Sequence, residues 1–112
     1  MKARIIRVNE LIKQEVAEIM LEDINFPAGT LVTVVAAKVS VDLRYADIII
    51  SVYPSGNREA ALEALNENIY AMQQIINKKL SMKPVPKIRF RVDESAEYVE
   101  KIERLIRKSK EE

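Results

Sequence analysis

With 112 residues, 48% of them hydrophobic, the chain suits one domain over residues 1–112 that buries roughly 65% of its unfolded surface. It contains no Cys and no His, which excludes disulfides, thiol chemistry, Cys/His zinc sites and the commonest general base. Formal charge is only +1 and the pI about 7.9, so any affinity for a polyanion must come from segregation of charge and not from its sum.

Around Met1, charged and apolar residues alternate, unlike a signal peptide, and no apolar run approaches the roughly 20 residues of a membrane span. A cytoplasmic protein without a membrane partner is expected. From about Arg4 to Glu22, Ile5, Val8, Ile12, Val16 and Ile19 recur at spacings of three and four, which predicts a helix with one core-facing stripe. On its other faces Lys2, Arg4 and Arg7 lead while Glu15, Glu18 and Glu22 trail, against the preference of the helix macrodipole. A solvated surface is the bland explanation for Arg4 and Arg7, but charge placed against a local preference is also a weak signal of a ligand, and the two become candidates for it.

Asp23 to Thr30 reads as a loop from its Pro27 and Gly29. Leu31 to Ser40, β-branched and small apolar throughout, predicts a strand covered on at least one face. After the polar connection Asp42-Leu43-Arg44, the segment Tyr45 to Tyr53 places Ala46, Ile48, Ile50 and Val52 on one side, a second strand antiparallel to the first. Pro54-Ser55-Gly56-Asn57 ends it, with Asn57 or Ser55 as the expected N-cap of the next helix. That helix, about Arg58 to Leu80, carries Leu62, Leu65, Ile69, Met72 and Ile76 on one face. Straight, it would reach roughly 35 Å, about the diameter of a domain this size, so the segment reads either as one long helix or as one split by a bend near Asn66 or Asn68.

The segment Lys78 to Asp93 concentrates charge that the totals hide. It holds six basic residues, Lys78, Lys79, Lys83, Lys87, Arg89 and Arg91, before Asp93 supplies an acid, so the cluster is expected to lack a balancing carboxylate. Pro84-Val85-Pro86 leads into a third strand in which Ile88, Phe90 and Val92 alternate with Lys87, Arg89 and Arg91, apolar on one face and cationic on the other. Asp93-Glu94-Ser95 then forms a capping-type turn before a helix over about Ala96 to Lys110, with Val99, Ile102 and Ile106 on one face and residues 108–112 frayed.

These elements fit an α+β two-layer sandwich: helices cover one face of a three-stranded sheet and the other face stays open. On the open face Lys38 joins Lys87, Arg89 and Arg91 as the neighbour of the third strand. A cationic open face points to a polyanion. The bland alternatives are a strand face kept soluble by charge and, for Asp42 and Arg44, a turn that bonds to itself. Tyr45 and Tyr53 suit either base stacking or capping of the core. Catalysis has nothing to work with: no phosphate-cradling Gly loop, no metal-ligand spacing, and carboxylate pairs such as Asp42 with Asp47 that are ordinary surface pairs. We therefore expect no enzyme, cofactor, metal or small-molecule substrate.

Within Val39-Ser40-Val41-Asp42-Leu43-Arg44-Tyr45-Ala46, the run from Ser40 to Ala46 closely resembles the Ser-x-Asp-x-Arg-Tyr-Ala part of the Val-x-x-Ser-x-Asp-x-Arg-Tyr-Ala signature of bacterial ribosome-binding factor A. Pro86-x-Ile88-x-Phe90-x-x-Asp93-x-Ser95 resembles that family's third strand and following turn. The resemblance spans about Arg4 to Arg107. It implies a KH-like fold of the type II order, helix-strand-strand-helix-helix-strand, here followed by a C-terminal helix. It further implies an assembly factor that binds free small ribosomal subunits and their 16S ribosomal RNA, assists late maturation and 5′-end processing, supports growth in the cold and acts as a monomer.

Under that resemblance the RNA-binding candidates are Arg4, Arg7, Lys38, Arg44, Lys78, Lys79, Lys83, Lys87, Arg89 and Arg91. The chain departs from the pattern at the interhelical point, where Asn68-Ile69-Tyr70 stands in place of a small residue, any residue, then Gly. It also lacks a Gly-x-x-Gly loop between helices, so any grip on RNA falls to side chains. Members of the family often carry a longer C-terminal tail of basic or mixed charge. Two alternatives stand beside this reading: a protein-interaction or dimerisation module, and a degenerate KH domain that binds another RNA.

Overall fold

A computed structural model describes residues 2–93 and 104–107. The elements run α1 (Lys2–Asp23), β1 (Leu31–Val39), β2 (Tyr45–Tyr53), a single 3-10 turn at Ser55–Asn57, α2 (Arg58–Glu67), α3 (Ile69–Lys79) and β3 (Lys87–Val92). Residues 104–107 are helical, with Leu105 and Ile106 exposed; the rest of the expected C-terminal helix lies outside the described residues.

The sheet order is β1-β2-β3, with β1 antiparallel and β3 parallel to the central β2. Paired residues share a face, so the register sorts the side chains. Val39, Ala46 and Ile88 form one core row; Ala37, Ile48 and Phe90 form the next. A register shift between Val34 and Ala36 inserts one residue into β1, after which Val34 faces the core opposite Ile50. Against this face the helices bury Val8, Ile12, Val16, Ile19 and Met20 of α1, Ala61 and Leu65 of α2, and Met72 and Ile76 of α3. Val8, Ile12, Val16, Ile19, Leu65, Met72 and Ile76 are positions that the three-and-four spacing predicts; Met20 and Ala61 join them, while Ile5, Leu62 and Ile69 are only half-buried. Burying each large side chain stabilises the fold by roughly 1.5–3 kcal/mol. The result is an α+β fold with helices on one sheet face.

Of the two readings, the split helix is the one formed: Asn68, with a φ of −104° and ψ of 3°, interrupts the helix between α2 and α3. The Asn68 side-chain amide donates to the Ala64 carbonyl at 2.7 Å, satisfying an acceptor at the end of α2. Because φ is negative, any L residue reaches this conformation and glycine is not required. Tyr70, standing where the resemblance places Gly, lies in the first turn of α3 and is 76% exposed. Of the two expected N-cap residues Asn57 occupies the cap position of α2, but it makes no side-chain cap hydrogen bond, and its amide donates to Thr30 Oγ1 at 2.7 Å. Asn57 thus ties the start of α2 to the start of β1 instead of closing its own helix.

Both outer strands of the sheet are pinned by a side-chain amide from the helical layer. Asn9 Oδ1 of α1 accepts the Val39 N–H of β1 at 2.9 Å, and Gln73 Oε1 of α3 accepts the Ile88 N–H of β3 at 2.9 Å. Such contacts occupy backbone donors that an edge strand would otherwise offer to another chain.

Candidate nucleic-acid interface

The connection between β1 and β2 is a self-bonded turn built from the residues of the first motif. Ser40 Oγ donates to Asp42 Oδ1 at 2.6 Å and accepts the Arg44 and Tyr45 N–H groups at 3.2 and 3.1 Å. Arg44 N–H also reaches Asp42 Oδ1 at 3.1 Å. The Ser40 hydroxyl, then the Arg44 amide, hold the Asp42 carboxyl below its ordinary range. Leu43 is carried at a φ of 62°, a left-handed conformation that costs a non-glycine residue about 1–2 kcal/mol and that these hydrogen bonds offset. A Ser and an Asp two residues on are what this turn needs, while Arg44 contributes its backbone N–H, so the Ser and Asp of the motif are structural. Arg44 keeps its side chain 77% exposed, 3.8 Å from Asp42, while its carbonyl accepts the Lys87 N–H at 2.9 Å and starts the β2–β3 pairing.

The open face of the sheet carries the rows Tyr45–Lys87, Lys38–Asp47–Arg89 and Ala36–Ile49–Arg91 at one end, and Thr33–Ser51 and Leu31–Tyr53 at the other. Lys38, Lys87, Arg89 and Arg91 are exposed there together. The expectation that Lys38 neighbours the third strand is corrected: β2 stands between β1 and β3, so Lys38 and Arg89 are two strand spacings apart, about 10 Å.

The residue between them is an acid. Arg89 Nε donates to Asp47 Oδ1 at 2.9 Å, Arg91 Nε lies 3.9 Å from Asp47 Oδ2, and the Arg89 guanidinium sits 4.4 Å from the centroid of the Tyr45 ring. The expectation of an unbalanced cluster is therefore wrong at the side-chain level. Alternation along β2 puts Tyr45 and Asp47 opposite the buried Ala46 and Ile48, but only the pairing of β2 with β3 puts Asp47 under the arginines.

The remaining candidates lie on the helical layer. Arg4 and Arg7 line a shallow cleft of about 380 Å³ with Val8, Leu11, Leu80, Ser81 and Met82, where the start of α1 meets the connection from α3 to β3. Lys83 is exposed on that connection and Lys78 on the last turn of α3. Lys79 is drawn away from them: its ammonium lies 3.3 Å from Glu15 of α1, and Glu15, with Glu18 and Glu22 adding to the field, raises it above its ordinary value. So the trailing acids of α1 are in part answered by α3. The ten candidates thus form an open-face group of Lys38, Lys87, Arg89 and Arg91, with Arg44 at its border, and a separate helical-layer group of Arg4, Arg7, Lys78, Lys79 and Lys83. Among the described residues there is no group of three or more His, Cys, Asp or Glu able to hold a metal, and no helix long and apolar enough to cross a membrane.

The family model for ribosome-binding factor A matches residues 4–106. The chain is 33% identical over 107 residues to the ribosome-binding factor A of Halothermothrix orenii, covering 95% of this chain and 88% of that one. The crystal structure of ribosome-binding factor A from Thermus thermophilus superposes with a TM-score of 0.67 at 21% identity, over 79% of this chain and 93% of that one. A homology model of the Thermus thermophilus protein, fitted into an electron cryo-microscopy map of its complex with the 30S subunit, superposes with a TM-score of 0.66 at 21% identity, over 77% and 91% of the two chains.

Proposed function

From the premise that the chain belongs to the ribosome-binding factor A family, we propose that it binds the small ribosomal subunit through 16S ribosomal RNA, using the cationic end of its open sheet face. The observation that carries this reading is the convergence of Lys38, Lys87, Arg89 and Arg91 on one exposed surface, from strands that are distant in sequence. Phosphate neutralisation by Lys and Arg supplies most of the sequence-independent affinity of a protein for RNA. Strand side chains project outward from a rigid sheet, so the cations reach phosphates without the close backbone approach that glycines permit in other modules. The family and the 30S complex of the Thermus protein support the same partner. In this reading the protein acts as a monomer in the cytoplasm, engages free subunits late in their maturation, assists processing of the 5′ end of the RNA and carries out no catalysis of its own.

The test replaces Lys87, Arg89 and Arg91 with Glu and follows co-sedimentation with free small subunits. Binding is lost while the far-ultraviolet circular dichroism and the melting transition remain those of a folded protein. Undiminished binding by the folded triple variant would remove the strand face from the mechanism.

A further inference from the structure

We propose that Asp47 is a positioning residue which, together with Tyr45, holds the Arg89 guanidinium as a preformed fork for one phosphate of the bound RNA. This rests on the RNA reading of the open face and specifies how that face grips. A carboxylate in the middle of a cationic surface weakens its attraction for a polyanion, so its presence there calls for a compensating role. The geometry supplies one. Asp47 accepts from Nε of Arg89 at 2.9 Å while the Tyr45 ring supports the guanidinium plane at 4.4 Å, two restraints on a side chain that otherwise samples many rotamers. Nε is one of five N–H donors; the other four, on the two Nη atoms, make no hydrogen bond among the described residues and form the planar edge that matches a phosphate.

The same carboxylate lies 3.9 Å from Nε of Arg91, so it restrains two neighbouring cations at once. Asp47 itself is short and 23% exposed, against 50% for Arg89 and 67% for Arg91, so it is less accessible to an approaching strand than either guanidinium. The guanidinium also covers a face of the Tyr45 ring, which removes that face as a stacking platform for a base. The free guanidinium edge is thereby assigned to a phosphodiester.

Asp47→Asn and Asp47→Ala carry the same net charge, and only Asn keeps an oxygen that can accept from Nε. Both variants are titrated against purified small ribosomal subunits alongside the wild-type protein, and the Nε–H resonance of Arg89 is followed by nuclear magnetic resonance. Asp47→Asn binds more tightly than wild type and keeps a slowly exchanging Nε–H. Asp47→Ala binds about three- to tenfold more weakly than Asp47→Asn, the loss expected when one rotamer-rich side chain must be ordered on binding, and its Nε–H exchanges with water. Equal affinity of the two variants overturns the positioning role, whichever way both have moved relative to wild type.

Arg89→Lys provides the second variant, since it preserves the charge but replaces the fork with a point ammonium. It too binds about three- to tenfold more weakly than wild type, and unchanged affinity there overturns the fork even if Asp47→Ala is poorly folded. Failure of the wild-type protein to bind the subunit overturns the RNA reading itself, a result distinct from equal behaviour of the two Asp47 variants.

Discussion

The side chain of Gln73 joins α3 to β3 by completing both backbone groups that flank Lys87: Oε1 accepts the Ile88 N–H at 2.9 Å and Nε2 donates to the Pro86 carbonyl at 3.0 Å. Nε2 also lies 3.0 Å from Asn77 Oδ1, one turn further along α3, which fixes the orientation of the amide. Lys87 and its neighbours at the start of β3 are thus held on one side by β2 and on the other by Gln73.

Removing that glutamine has a measurable cost. Gln73→Leu leaves a partly buried donor and acceptor without partners and lowers stability by about 1–3 kcal/mol in urea denaturation. Gln73→Glu restores only the acceptor, so its stability falls between wild type and Gln73→Leu at neutral pH.

The turn between β1 and β2 predicts an acid-sensitive element. Asp42 titrates below its ordinary value of 3.8 because of Ser40 and the Arg44 amide, so the folded state favours the charged form. Its contribution is complete above about pH 5 and is lost as pH falls through the lowered folded value. In Ser40→Ala the largest cause disappears, and the Asp42 carboxyl titration, read by nuclear magnetic resonance, moves back toward 3.8.

Core and surface leucines separate sharply. Leu65 is fully buried, and Leu65→Ala costs about 2–5 kcal/mol in denaturant unfolding. Leu21 is 87% exposed at the far end of α1, and Leu21→Ala changes stability by less than about 0.5 kcal/mol.

At the interhelical break, the position of a missing glycine can be tested directly. Tyr70→Gly puts glycine into the first turn of α3, where the backbone is already helical, and destabilises the protein by about 0.5–1 kcal/mol instead of improving the bend. A gain in stability would show that α3 is strained by its tyrosine.

Salt dependence distinguishes the two groups of cations. If the four open-face cations and Arg44 engage phosphates, log affinity for the small subunit falls with log salt with a slope of about −3.5 to −4.5. Lys87→Ala makes that slope shallower by about 0.7–0.9, one phosphate's share, whereas Lys79→Ala, whose cation already faces Glu15, leaves it unchanged.

Ile12, Val16, Leu65, Met72 and Ile76 declare their buried faces by spacing alone, because a helix repeats every 3.6 residues whatever it packs against. The same local logic assigns Ile88 to the core and Lys87, Arg89 and Arg91 to the open face, and the motif around Ser40 and Asp42 marks a turn whose hydrogen bonds span at most five residues. Charge balance on the open face is not local. Asp47 and Arg89 are 42 positions apart, and what brings them together is the parallel pairing of β2 with β3, with β2 inserted between Lys38 and its expected neighbours. Lys79 meets Glu15 through helix packing in the same way. For most of the helices and for β2 and β3 the sequence by itself determined which residues face the core and which face water, since that choice depends on periodicity within one element, whereas the extra residue between Val34 and Ala36 sets the faces of β1. Only the tertiary structure decided which exposed charges stand free and which are already paired, because a carboxylate's partner is set by register and packing between elements that no period records.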